Sequence, residues 1–317
     1  MLNMIATLVL IAPQAGKGAP EHGNAGGVPS LGINASLNGR RLFPDDNPWN
    51  TPIDQEPVDP LSDSIINAIG VNDSLHPDFG ANWDGGPFGI PYVVVGRHQP
   101  MVPMDFFDYG DESDPGPYPV PPNAPIEGGS GSNGDRHVLV LDRDNWRLYE
   151  TFNSYYVGPG WSASNGAVFD LNSNALRQDG WTSADAAGLP ILAGLVRRDE
   201  VVEQGEIRHA LRFTVQITRR AYIHPATHWA SSNTNPNRPP MGCRFRLKAN
   251  FDMSGYSPGA QVILRALKKY GMFVADNGGD MFLSGCPDAR WNDDELNSLK
   301  NVKARDFEVV RMGEIHQ

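Results

Sequence analysis

"RHVLVLDRDNWRLYETFNS", residues 136–154, decides how the rest of the chain reads. Its apolar run from Val138 to Leu141 ends at Asp142, and after the short link Arg143-Asp144-Asn145 a second run, Trp146 to Phe152, takes over. Two strand-like runs joined by so short a polar link predict a β-hairpin. Working outward, "IRHALRFTVQI" (207–217) and "CRFRLKANFD" (243–252) alternate with period two, and "MFVAD" (272–276) and "FEVV" (307–310) are further short strands.

Helix signals are fewer. "SPGAQVILRALKKYG" (257–271) has Ser257 to cap it, Pro258 in its first turn, two closing lysines and Gly271 as a stop. "DPLSDSIINAIG" (59–70) predicts a short helix capped by Asp59 or Ser62, and "SADAAGLPILAGLV" (183–196) one limited by Pro190. With 34 glycines and 27 prolines, the 317-residue chain reads as mainly β: a sandwich or jelly-roll-like single large domain over 43–317, with two or three decorating helices. Residues 99–134 read as a long Pro/Gly/acid-rich loop insertion and 20–42 as a flexible tail.

Residues 1–19 are signal-like, with an apolar run from Met4 to Ala12 but no basic start. That run is too short to span a hydrocarbon core of about 30 Å, so an extracellular or periplasmic protein without a membrane span is expected. A net charge of −11 and the lack of a basic run argue against nucleic acid as a partner. The only cysteines, Cys243 and Cys286, fit either a disulfide or two buried thiols.

Several residues are candidates for chemistry. In "WRLYETFNS" Glu150 shares a face with Trp146, Leu148 and Phe152, where a carboxylate is costly to ionise and its pKa rises, as a general acid requires. A position at the rim, paired with Arg147, is the plainer alternative. His209 falls on the face of Ile207, Leu211 and Phe213, as a core histidine or a residue set in a concave sheet face. In "AYIHPATHWAS" (221–231) Pro225 makes a helix through His224 and His228 implausible, which removes the helical two-histidine metal grip and leaves a strand, "RRAYIH", running into a loop. Arg244, Arg246 and Lys248 share one side of their strand, either a solvated face or a row suited to an anionic or hydroxyl-rich chain. "VADNGGD" (274–280) places Asp276, Asn277 and Asp280 around two glycines, which turn chemistry explains and a hard cation would also suit. No serine elbow, phosphate loop, dinucleotide fingerprint or helical zinc motif is present, so no organic cofactor is implied. A divalent metal is the one cofactor left open, with His137, His209, His224 and His228 as its candidate ligands.

The blocks "DGWTSADAAGLPILAGLVRRDEV" and "GEIRHALRFTV", with "HPATHWAS", "PPMGCRFRLKANFD" and "VILRALKKYGMFVADNG", resemble a set of uncharacterised exported bacterial proteins over roughly residues 43–312. The resemblance implies secretion and one large unit and brings no catalytic residue with it.

Together these features predict a secreted carbohydrate-active enzyme that cleaves a polysaccharide. In a glycoside hydrolase Glu150 is general acid or nucleophile, with Glu206 or Asp276 opposite. In a polysaccharide lyase His209 or His228 is the base, and Arg246 or Lys248 neutralises a substrate carboxylate. Trp229 and Tyr149, with Arg244, are candidate sugar-binding groups. The competing classes are a non-catalytic carbohydrate-binding or adhesion module and a structural subunit of an extracellular assembly.

Overall fold

The computed structural model describes residues 26–317; the signal-like segment 1–19 and the start of the predicted tail lie outside the described residues. The strands are β1 (Gly32–Ile33), β2 (His76–Asp78), β3 (Gly80–Trp83), β4 (Gly86–Phe88), β5 (Tyr92–Val95), β6 (Met104–Phe106), β7 (Val138–Asp142) and β8 (Arg147–Phe152). They continue with β9 (Tyr155–Tyr156), β10 (Trp161–Ala163), β11 (Asn165–Asp170), β12 (Leu211–Val215), β13 (Arg244–Leu247), β14 (Met272–Asn277), β15 (Phe282–Ser284) and β16 (Phe307–Val309). The α-helices are α1 (Ser62–Ile69), α2 (Pro258–Lys269) and α3 (Asp293–Asn297). The protein is therefore mainly β, with few helices.

Two mixed sheets dominate. One runs β1-β5-β7-β8-β11 and the other β16-β13-β14-β12-β15-β2. The predicted hairpin is β7–β8, antiparallel with Leu139 opposite Glu150 and Leu141 opposite Leu148. Every residue of β5 and β7 is buried, as expected of inner strands covered on both faces. One apolar core takes Leu139, Leu141 and Leu148 from the first sheet and Phe213, Phe245 and Met272 from the second. Across it α2 lays Val262, Ile263 and Leu267; Ser257 caps this helix by accepting the Ala260 N–H at 3.3 Å. In α1, the predicted short helix, Ile65, Ile66 and Ile69 are buried, but neither Asp59 nor Ser62 is its cap. Asp59 instead holds the Leu61 and Met312 N–H groups and Ser62 the Val309 N–H, fastening the helix start to the C-terminal region.

Four segments depart from their sequence reading. Residues 183–196 form no α-helix; they run as a buried strap of turns with one 3-10 turn at Leu192–Gly194. Gly188 sits there at φ +75°, where a Cβ would strike the Thr227 hydroxyl. Residues 99–134 are packed rather than structureless: β6 joins β10 and β9 in a small sheet, and Tyr118 is wholly buried in a second apolar cluster with Val120, Val140 and Trp161. Within the expected tail, β1 pairs with β5, and Leu37 is buried, its N–H donated to Asp199. "RRAYIH" supplies only an isolated bridge at Tyr222. Cys243 and Cys286 are free and buried, and burial pushes both thiols well above their ordinary range. Among the described residues no helix is long and apolar enough to cross a membrane.

Candidate functional site

The floor of an open cavity of about 910 Å³ comes from one end of the six-stranded sheet. On β12 the apolar side chains Leu211, Phe213 and Val215 face the core, which turns Arg212 and Thr214 the other way, toward the cleft. The β12–β14 pairing slips by one residue after Phe213, so that Asp276 rather than Ala275 stands beside Thr214. A bulge of this kind re-aims a side chain, and here it leaves Ala275 in the core and Asp276 at the cleft floor. The next strands complete the row: Ser284 ends β15 and is in register with Asp78 at the end of β2. The opposite wall is the loop through Glu127, Gly129, Ser132 and Asp135, which Arg136 gathers by donating to the Ser130, Ser132 and Ser154 carbonyls.

Charge is unevenly distributed over this surface. Arg212 is spent below it: Nε and Nη2 each donate at 2.9 Å to Asp185, and Nη1 donates to Ser284 Oγ at 2.5 Å. Asp276 accepts the Asn277 N–H at 2.7 Å. Burial, and then the like charge of Asp185, push its carboxyl up to about 7 against the pull of Arg212. Asp78 is also raised, by burial and by the neighbouring Glu127 and Asp135. His137 donates from Nδ1 to Glu127 at 2.6 Å and from Nε2 to the Ala184 carbonyl at 3.0 Å. Burial alone would lower its pKa, but the Glu127 carboxylate lifts it to about 9. The imidazolium form satisfies both acceptors. Glu127, Asp135 and His137 lie within 4.8 Å of one another, and both ring nitrogens of this histidine are already engaged, by Glu127 and by the Ala184 carbonyl.

A second cavity of about 600 Å³ shares Asp78, Trp83, Phe88 and Phe282 with the cleft and so continues it. Aromatic rings line the junction. His76 stacks on Phe282 at 4.1 Å, and Trp83, on the β3–β4 hairpin, is 74% exposed beside Phe88.

Of the residues singled out from sequence, Asp276, Asn277 and His137 line this cleft; the others do not converge on it. Glu150 is fully buried and accepts the Ile191 and Leu192 N–H groups at 2.8 and 2.9 Å, one on each oxygen, while burial raises its pKa to about 7. His209 precedes β12 and bonds Glu200 and the Ala210 carbonyl. His228 bonds the Ala186 carbonyl, and Trp229 stacks on Tyr222. Glu206 is exposed near Lys269, and Tyr149 packs on Tyr118 in the second apolar cluster. Arg244, Arg246 and Lys248 direct donors to the carbonyls of Tyr270, Glu56 and Arg305, and Arg246 also pairs with Glu308. Their polar face therefore holds chain segments together. The four histidines named as candidate metal ligands do not meet one another: His137, His209 and His228 have separate partners, and His224 meets Asp179 at 2.8 Å. Asp276 and Asp280 also part company, the latter accepting the Gln216 N–H.

Sequence reasoning passed over Asp78, Glu127, Asp135, Asp185, Arg212 and Trp83. Only Arg212 carried a signal, as the charge opposite an unbroken apolar face.

No family model matches the sequence, and neither a curated protein nor a solved structure matches it.

Proposed function

We propose that the protein is a secreted carbohydrate-active enzyme that hydrolyses a polysaccharide in the cleft over β12, β14, β15 and β2. The observation that carries this reading is Asp276, a carboxyl raised to about 7 at the floor of an open polar cleft that runs on into an aromatic groove. A carboxylic acid still partly protonated near neutrality can protonate a departing glycosidic oxygen. Asp78 is the partner carboxylate. It stands three strand spacings away, roughly 14 Å along the sheet backbone. That exceeds the about 6.5–9.5 Å between the carboxyls of an inverting site, so the pair serves only if the two side chains lean toward each other across β12 and β15. Trp83, Phe88 and Phe282 supply the faces on which successive sugar rings stack. The scaffold reads as an irregular β-sandwich, two sheets over a shared core.

Reducing-end release from a panel of polysaccharides tests this. Asp276→Asn should cut turnover by about 10²–10⁴ while substrate still binds. Full activity in that variant sinks the assignment of the acid, and binding by the native chain without any product leaves a carbohydrate-binding module.

A further inference from the structure

We propose that Asp179, His224 and His316 form a binding site for a borderline divalent metal ion of the zinc type, apart from the cleft. The three residues come from distant parts of the chain, yet one ligand atom from each lies within 4.8 Å of the others. His224 Nε2 is 2.8 Å from Asp179 Oδ1, and the two imidazole rings are 4.3 Å apart between centroids. Two nitrogens and one carboxylate oxygen are a set suited to zinc, nickel or copper(II) rather than to calcium or magnesium.

The backbone holds the rings ready. Tyr222 and His316 exchange both N–H···O=C bonds, at 3.1 and 2.9 Å, and the His316 ring stacks on Tyr222 at 5.0 Å and 9°. Trp229 stacks against Tyr222 as well, at 5.7 Å. The contrast with His137 is direct. There a carboxylate and a carbonyl take both ring nitrogens; among the described residues no carbonyl takes a ring nitrogen of His224 or His316. Tetrahedral ligands at a zinc distance of 2.0–2.1 Å sit about 3.4 Å from one another. The His224–Asp179 pair must open slightly from 2.8 Å and the other pairs settle from within 4.8 Å, through rotamer shifts of side chains that are exposed or half-buried. Three protein ligands leave the fourth position to water. The bound ion would tie the chain around His316 to the turn at His224 and the loop at Asp179.

Calorimetric titration of zinc chloride into the metal-stripped full chain should find one equivalent and a raised melting temperature. Cobalt(II) in its place should give visible d–d absorption from nitrogen and oxygen ligands. His224→Ala, His316→Ala and Asp179→Asn should each weaken zinc binding by more than the roughly 10–100-fold that loss of an outer-shell partner costs. His228→Ala should leave it unchanged, and melting of the metal-free variants shows that they are folded. Absence of stoichiometric binding in the native chain overturns the proposal, as does binding that survives in the folded His224→Ala and His316→Ala chains.

Discussion

Glu150 and Asp276 are both carboxyls raised by burial to about 7, and they sit under opposite circumstances. Glu150 lies in the core with each oxygen answered by a backbone N–H of the 183–196 strap. Asp276 keeps a face in an open cleft. A raised pKa thus marks desolvation and no more; access to a substrate separates a reacting group from a buried strut. Glu150 is needed where it is because the strap is irregular and buried, and its N–H groups find no ladder of their own. Other side chains serve the same strap: His137 meets the Ala184 carbonyl, and Arg212 the Asp185 carboxylate.

The comparison breaks most readily at Glu150. Glu150→Ala strands two buried N–H groups at about 1–3 kcal/mol each and opens a cavity as well, so urea unfolding should show a loss of roughly 3–6 kcal/mol. A loss under about 1 kcal/mol would mean that the strap does not depend on this carboxylate.

Asp276 should behave in the opposite sense. Its folded pKa of about 7 lies above the unfolded value near 3.9, so the folded state binds the proton more tightly. Its contribution is greatest below about pH 4 and is lost as pH rises toward 7. Removing the charge with Asp276→Asn should make the protein more stable at pH 8 by on the order of 2 kcal/mol, with the gap closing near pH 4. Equal melting temperatures for the two chains at pH 8 would show that the cleft hydrates this carboxylate as well as bulk water does.

The smallest effect is expected at Trp83. At 74% exposure it contributes little to folding, so Trp83→Ala should leave stability within about 0.5 kcal/mol. Loss of a stacking face worth about 1 kcal/mol should raise KM about 5-fold at constant kcat. An unchanged KM would remove the aromatic groove from the substrate path.

Local pattern carried much of the architecture. Two apolar runs with a short polar link marked the β7–β8 hairpin, period-two alternation marked β12 and β13, and Ser257, Pro258 and the closing lysines marked α2, because these signals depend on neighbours a few residues away. The strap misled for the same reason. Ala and Leu in 183–196 favour a helix, and what prevents one is Gly188 pressed against Thr227 together with hydrogen-bond partners from Glu150 and His137, all distant in sequence. The cleft was hidden more deeply. Asp276 was visible as a turn acid and as one of two carboxylates that could stand opposite Glu150, not as a group in a cleft of its own, and Asp78 and Glu127 gave no sign, since their meaning lies in strand order and in a one-residue slip beside Ala275.

The sequence by itself determined a mainly β chain, the hairpin at 136–154 and the capped helix at 258–269. Tertiary structure alone decided that Asp276 reaches a cleft while Glu150 does not, and that His224 meets Asp179 and His316 rather than His209. The reason is physical: alternation and capping are settled within a few residues, whereas desolvation and hydrogen-bond partnership are set by whatever distant segment folds against a side chain.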